Sequence, residues 1–467
     1  MDVDTLLRRL REWSGPRPSV PGDPVPAVRP PIDRFGADPG RRRVLTALLG
    51  APLLATGGLA GCSDGADTST ANGPIELSVF WWGGAKRAEL TEKALRLYSE
   101  RNPGVTFRVT WQGADGYYER LATQAAGGNV PDLIQLDDSM LTEYTQRQIA
   151  LDLTDAIAGH RLDLRNFPEG LVRYGTVDGR TTGVAAGQTL AAVVFNRDLL
   201  RELRVPEPRS GMPWADYIAW AQEVTEASDG QVAGTMDASG DYRALWLWLR
   251  SQGGEFYRER ELGFGADELI AWFELWQRAR AGRATPGAAL VEQADSGEPS
   301  RQPVVTGLTA ASFTWSHQLP ELQRLTESEL DVVGFPGPAG AQWPRASMYW
   351  AGFRGTRHPD TVAEVINFLT TNGEAGTVLG HERGLNPSLA VRRYAQGSIT
   401  DPAQRRAAAL GDNLADQLGP APAPPPKGHA KVRTLLVTAA ERVRVRRDGT
   451  REATARFLSQ AIGALAG

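Results

Sequence analysis

Trp82, Trp315 and Trp350 fall in loops or at strand ends, and Asp115, Asp138, Gln188, His317 and Gln318 fall in comparable places along the chain. A flat indole offers an apolar face, while carboxylate, amide and imidazole groups supply hydrogen-bond acceptors and donors. A polyhydroxylated ring, with apolar CH faces and a rim of hydroxyls, is the kind of molecule such a set can hold. A few polar groups placed among apolar walls would fix its orientation. Nothing in the set requires a bond to be broken. Each residue also has a plainer reading: the three tryptophans can be core packing, and Asp137 or Asp138 can cap a helix that begins at Ser139 or Met140, since aspartate is a favoured N-cap. One cap and one binding residue, with Asp138 binding, is the expectation.

The elements that must position these side chains read as α/β. Ile75 to Phe80 alternates apolar and polar residues and then turns apolar, a strand running into Trp81-Trp82-Gly83-Gly84. Leu90, Ala94 and Leu97 mark a helix that stops near Asn102-Pro103-Gly104. Val105 to Trp111 is a second strand, Tyr117 to Ala126 a second helix, and Pro131 to Leu136 a short buried strand ending at Asp137-Asp138. This β-α-β-α-β order predicts a parallel sheet with right-handed crossovers. Ligands sit beyond the carboxyl ends of such strands, the edge that holds Trp82 and Asp138.

Further along, residues 179–196 read as two extended runs separated by a polar Gly-Gln-Thr, flowing into a helix over 197–204. Helices dominate Tyr242 to Ala281, where Trp246, Leu249, Trp272, Leu275 and Trp276 form core-type stripes. Strands are expected at 330–335 and 347–353, and an amphipathic helix after His358-Pro359. The proline run in Gly419 to Gly428 suggests an extended, polyproline-like segment. No internal repeat is visible.

The only cysteine, Cys62, closes a stretch with three arginines (41–43), an uncharged Leu/Ala/Gly run and small residues just before the thiol. That order reads as an export signal. The apolar run is short for a membrane span and contains Pro52 and Gly57-Gly58, so removal is expected rather than retention. Leu59-Ala60-Gly61-Cys62 resembles the lipobox of bacterial lipoproteins, which implies lipidation at Cys62 and tethering at the outer face of the cytoplasmic membrane. Arg41-Arg42 resembles a twin-arginine address, with Val and Thr standing where that motif prefers Phe and Lys. Residues 1–40, rich in Pro, Gly and Arg, are expected to be disordered, and 63–74 to form a linker.

Cleavage before Cys62 would remove nine arginines and six acidic residues, taking the net charge from −4 to −7. A mildly acidic globular chain argues against nucleic acid. The five histidines, at 160, 317, 358, 381 and 429, form no close pair at metal-ligand spacing. With no cysteine beyond Cys62, neither a metal, a disulfide nor a cofactor is expected.

From Ile75 to Ala466 the order of landmarks is similar to family 1 of the extracellular solute-binding proteins of ABC importers, the carbohydrate-binding branch. The resemblance rests on Phe80-Trp81-Trp82-Gly83-Gly84, Asn102-Pro103-Gly104-Val105, Tyr117-Tyr118-Glu119-Arg120-Leu121 and Gly127 to Ile134. It continues through Gly183 to Gly187, Phe195 to Leu199, and His358-Pro359 before Asn367-Phe368-Leu369. It implies a two-lobed, periplasmic-binding-protein-like α/β fold with a hinge, a ligand in the interlobe cleft and a monomer that docks on a permease. It implies no catalysis. Lobe 1 is expected at 75–187 and 304–350, and lobe 2 at 188–303 and 351–467. Arg383-Gly384-Leu385-Asn386-Pro387 resembles the family's Arg-Gly loop near the cleft, which adds Arg383 and Asn386 to the candidates. Arg383 can instead pair with Glu382. His317 stands where related sequences often carry Asn, which implies a different hydroxyl pattern or a site that senses pH. The rival readings are the same fold with a polyamine, phosphorylated polyol or metal chelate as ligand, a sensor that transports nothing, or a lipid-anchored glycoside hydrolase using Asp115 and Asp138.

Overall fold

The computed structural model describes residues 73–294 and 298–466. The export signal, Cys62 and the linker as far as residue 72 lie outside the described residues. From Ile75 the chain follows the expected order: β1 (Ile75–Trp82), α1 (Ala85–Arg101), β2 (Val105–Gln112), α2 (Tyr117–Ala126), β3 (Leu133–Leu136) and α3 (Asp138–Gln146). β1 pairs parallel with β2 along its whole length and with β3 on its other side. Alternation in β1 has its usual consequence. Leu77, Val79 and Trp81 enter one core, and Phe80 enters another on the opposite face with Tyr117 and Leu121.

The chain then leaves this sheet through β4 (Val184–Thr189) and, after Leu190 alone, enters a second sheet as β5 (Ala191–Asn196). Next come α4 (Trp214–Ala227), α5 (Tyr242–Arg250), α6 (Ala266–Ala281), β6 (Ala311–Trp315), α7 (Leu319–Gln323), β7 (Leu330–Gly334) and β8 (Arg345–Gly352). The C-terminal part is helical: α8 (Pro359–Thr371), α9 (Gly373–Leu379), α10 (Leu389–Ala395), α11 (Pro402–Leu414), α12 (His429–Arg444) and α13 (Thr450–Ala466). The first sheet has the order β2-β1-β3-β8-β4 and the second β6-β5-β7. Each sheet anchors one lobe. Trp246, Trp272 and Trp276 are buried, as their helical stripes suggested.

The lobe boundaries differ from those expected. β6 and β7 belong to the second sheet, because β5 is buried along its whole length and needs a hydrogen-bonded partner on both edges. β8, by contrast, returns to the first sheet between β3 and β4. α8 also belongs to the first lobe: Val362, Val365, Ile366 and Leu369 pack in one core with Leu77 and Leu133. The proline-rich stretch 419–428 spans both lobes. Its Pro420 carbonyl accepts from Arg250 of α5 at 3.0 Å, and its Pro425 carbonyl accepts from Thr142 of α3 at 2.7 Å.

Where β4 gives way to β5, the loop 381–386 lies against the crossing strand. Gln188 N–H donates to Leu385 O at 2.7 Å, and Leu385 N–H returns a bond to Gln188 O at 3.0 Å. Glycine permits this approach. A Cβ on Gly187 would stand 1.9 Å from Arg383 O, and Gly384, at φ +94°, would place one 2.3 Å from Gln188 O. Gly187→Ala is therefore expected to lower the unfolding free energy by about 1–3 kcal/mol. A denaturant titration should show a lower midpoint with unchanged slope.

Candidate functional site

A cleft of about 470 Å³ opens between the two sheets. One wall is the carboxyl edge of the first sheet, with Trp82 at the end of β1 and Asp137-Asp138 just after β3. The facing wall comes from the end of β6 and the start of α5, with Trp315, His317 and Gln318 on one side and Asp241, Tyr242 and Arg243 on the other. Trp82, Asp138, Trp315, His317 and Gln318, predicted from sequence, thus line one cavity.

Asp137 and Asp138 divide two roles. Asp137 caps α3 by accepting the Ser139 N–H at 3.0 Å, so Asp138, the first residue of the helix, turns inward and is 3% exposed. There it forms an ion pair with Arg345 of β8 and accepts a 3.3 Å bond from Tyr174 Oη. Burial pushes its carboxyl up, but the charges of Arg345, His429 and Arg433 outweigh that and hold it below the ordinary value. Burial likewise works against the Arg345 charge, and Asp138 overcomes it. Arg345 also donates to Tyr242 Oη at 3.2 Å. The other lining charges are matched in the same way. Arg243 grips Asp241 through three side-chain bonds of 2.5, 2.9 and 3.1 Å, Arg433 lies 3.6 Å from Asp137, and Asp237 meets Arg280 at 2.5 Å.

The aromatic groups are not equivalent. Trp82 is half-buried and held edge-on by Tyr117 at 5.0 Å, with Tyr118 at 5.9 Å, while its carbonyl accepts from Arg87 and Gln135. Trp315 already has cationic partners: the guanidinium carbons of Arg345 and Arg243 lie 4.2 and 4.7 Å from its ring. His317 Nδ1 is 3.0 Å from Thr189 Oγ1. Burial, reinforced by Arg87, Arg345 and Arg243, depresses its pKa to about 3, so the imidazole is neutral at physiological pH. Gln318 Oε1 accepts from the Trp315 N–H at 3.1 Å and from Thr314 Oγ1, which leaves its amide N–H groups as what it can present.

The other five candidates lie elsewhere. Asp115 is exposed in the turn between β2 and α2. Trp350 is 1% exposed, because β8 is an interior strand and its indole faces the first-lobe core. Arg383 stacks over Trp350 at 4.8 Å and donates to Gln135 and Thr91, not to Glu382. Gln188 accepts from Arg392 at 2.6 Å, and Asn386 caps its own loop through Ser388 N–H. All but Asp115 therefore brace the crossing rather than line the cleft. Sequence reading missed Asp241, Tyr242, Arg243, Arg345 and Arg433. The Asp237 to Asp241 loop before α5 carried a cap signal, but Arg345 in a strand and Arg433 in a helix gave no local sign of a partner.

Two outcomes follow. Arg345→Met leaves Asp138 buried without its partner and should cost about 3–5 kcal/mol in a denaturant titration, with part of the loss recovered when Asp138→Asn is added. His317, depressed from 6.5 to about 3, contributes stability that is present above pH 6.5 and lost as the pH falls toward 3. His317→Gln should flatten the pH dependence of unfolding across that window.

Comparison with known proteins matches residues 83–376 to the bacterial extracellular solute-binding protein family. A lipoprotein of Streptomyces antibioticus, described as lying in the oleD 5′ region, is 26% identical over 44% of this chain. The match spans 42% of that relative's own length. A periplasmic oligogalacturonide-binding protein of Yersinia enterocolitica superposes with a TM-score of 0.73 at 20% identity, covering 84% of this chain and 99% of that one. A periplasmic solute-binding protein of Pectobacterium atrosepticum gives 0.74 at 20% identity over the same shares. These structures share the two-lobed α/β architecture, and the family match extends over more than half of the chain. The chain belongs to the bacterial extracellular solute-binding protein family.

Proposed function

We propose that this protein captures a neutral mono- or oligosaccharide between its lobes and delivers it to an ABC permease, tethered to the outer face of the cytoplasmic membrane through a lipidated Cys62. The observation that carries the reading is a braced aromatic platform, Trp82, facing a charge-balanced set of carboxylates and guanidinium groups. Arg345, Arg243 and Arg433 are answered by Asp138, Asp241 and Asp137, and Asp237 by Arg280. A polyamine would need excess negative charge in such a cleft, and a phosphorylated polyol excess positive charge. A hydroxylated neutral ring needs donors and acceptors side by side, which paired charges supply. Solved relatives support a carbohydrate ligand in the wider sense: the Yersinia protein is described in complex with saturated digalacturonic acid, an acidic sugar, and a substrate-binding protein of Listeria monocytogenes with cycloalternan.

Trp82 is the stacking face, and Asp138, His317 and Gln318 are hydroxyl partners. Trp315 orients the Arg345 and Arg243 guanidinium groups rather than serving as a bare platform. Closure about the β4–β5 crossing needs only a higher ligand affinity in the closed state. The protein is read as non-catalytic. The hydrolase alternative needs Asp115 and Asp138 to flank one bond, and Asp115 is exposed outside the cleft lining.

A thermal-shift screen of mono- and oligosaccharides, polyamines and phosphorylated polyols should show stabilisation by a sugar alone. Stabilisation by a polyamine with none by any sugar would overturn the reading. For the responding sugar, Trp82→Ala should weaken binding by about tenfold or more. Affinity should not follow a His317 titration between about pH 5 and pH 8.

A further inference from the structure

Five of the seven residues from Pro420 to Pro426 are prolines, so this segment has few backbone N–H groups with which to join a helix or a sheet. Side chains from both lobes bond its carbonyls instead. Arg250 of α5, in the second lobe, donates to Pro420 O at 3.0 Å. From the first lobe, Arg173 of the short helix Glu169–Tyr174 donates to Ala421 O, and Thr142 of α3 donates to Pro425 O at 2.7 Å. Ala421 and Pro425 are buried at these contacts, and Ala423 between them is exposed.

Both ends of the segment are fixed as well. Gly419 N–H donates to Gln342 O at 2.7 Å, in the passage from β7 to β8 by which the chain re-enters the first lobe. The approach is so close that a Cβ on Gly419 would stand 2.1 Å from Gly340 O. At the far end Gly428, at φ +89°, packs against Ala464 O of α13, and His429 Nδ1 at the start of α12 lies 2.7 Å from Tyr257 Oη. α12 then lines the cleft with Arg433, 3.6 Å from Asp137 of the first lobe.

A proline run is stiff. With φ fixed by the rings and a rise of about 3.1 Å per residue, seven such residues span roughly 20 Å with little give in either direction. Swinging the lobes apart therefore requires the Thr142 and Arg173 bonds to break or the run to bend.

We propose that residues 419–428 are an interlobe strap that weights the ligand-free protein toward the cleft geometry seen here, in which Arg433 reaches Asp137. The inference rests on the cleft being the ligand site but not on what fills it. A ligand that prefers this geometry meets molecules most of which are already competent, so its apparent affinity rises with the fraction held closed. Loss of the two first-lobe bonds, one of them from a guanidinium, shifts the open-to-closed ratio by about tenfold or more.

The test is a pulsed electron-spin distance measurement on the full chain with no ligand added. Cys62→Ser removes the only cysteine, and Ala122→Cys on α2 with Gln277→Cys on α6, both exposed positions, places one label on each lobe. The main population is expected at the separation these two sites have in this structure. Thr142→Val with Arg173→Met frees the strap from the first lobe and should move that population to longer distance. Pro422→Gly with Pro424→Gly keeps every bonded carbonyl but loosens the run, and should broaden the distribution toward longer distance. A main population already longer with the strap unaltered, or an unchanged distribution in either strap variant, would overturn the proposal. Failure of every sugar in the thermal-shift screen would leave these distances as they are, so the two readings fail separately.

Discussion

The ion pair between Asp138 and Arg345 is the contact around which the cleft is organised. Taking two charges out of water carries a large desolvation cost, and the cost is tolerable only when the partners are close and their remaining hydrogen-bond capacity is used. Here Tyr174 and Tyr242 take up much of that capacity, and Trp315 covers the guanidinium. Asp138 sits at the start of a helix in the first lobe, Arg345 in a returning strand of the same sheet, and Tyr242 and Trp315 in the second lobe. One pair therefore ties the floor of the cleft to the wall opposite.

The same logic governs the rest of the cleft. Carboxylate and guanidinium groups occur in matched sets, so the cavity is polar without a strong net charge. That balance is the basis of the proposed reading, in which the ligand is recognised by hydroxyl geometry and not by charge. The crossing beside it obeys a steric constraint instead. Gly187 and Gly384 allow two backbones to approach within hydrogen-bonding distance, and the buried Arg383 fills the space behind them. Burial and the neighbouring Arg87 charge depress the Arg383 pKa, so its bonds to Gln135 and Thr91 and its stacking on Trp350 must hold it.

Much of the first lobe could be read directly from sequence. The alternation in Ile75 to Phe80, the helix stop at Asn102-Pro103-Gly104 and the short apolar run ending at Asp137 are local signals, and local hydrogen bonding and side-chain periodicity decide them. The capping role of Asp137 was legible for the same reason, since N-capping is a property of adjacent residues. Trp350 shows the limit. A tryptophan near a strand end looks the same whether it faces a cleft or a core, and only the placement of β8 between β3 and β4 settles which.

By itself, the sequence determined the type and order of the elements, the family to which they belong, and the edge of the first sheet where a site could form. These follow from periodicity, capping and turn chemistry, which act over a few residues. Tertiary structure alone decided that β6 and β7 complete the second sheet while α8 covers the first, because a strand's edges can be satisfied by any segment that reaches them. It also decided which arginine answers which aspartate. Arg345 is more than 200 residues from Asp138 in the chain, and a charge carries no mark of its partner until folding removes the water between them.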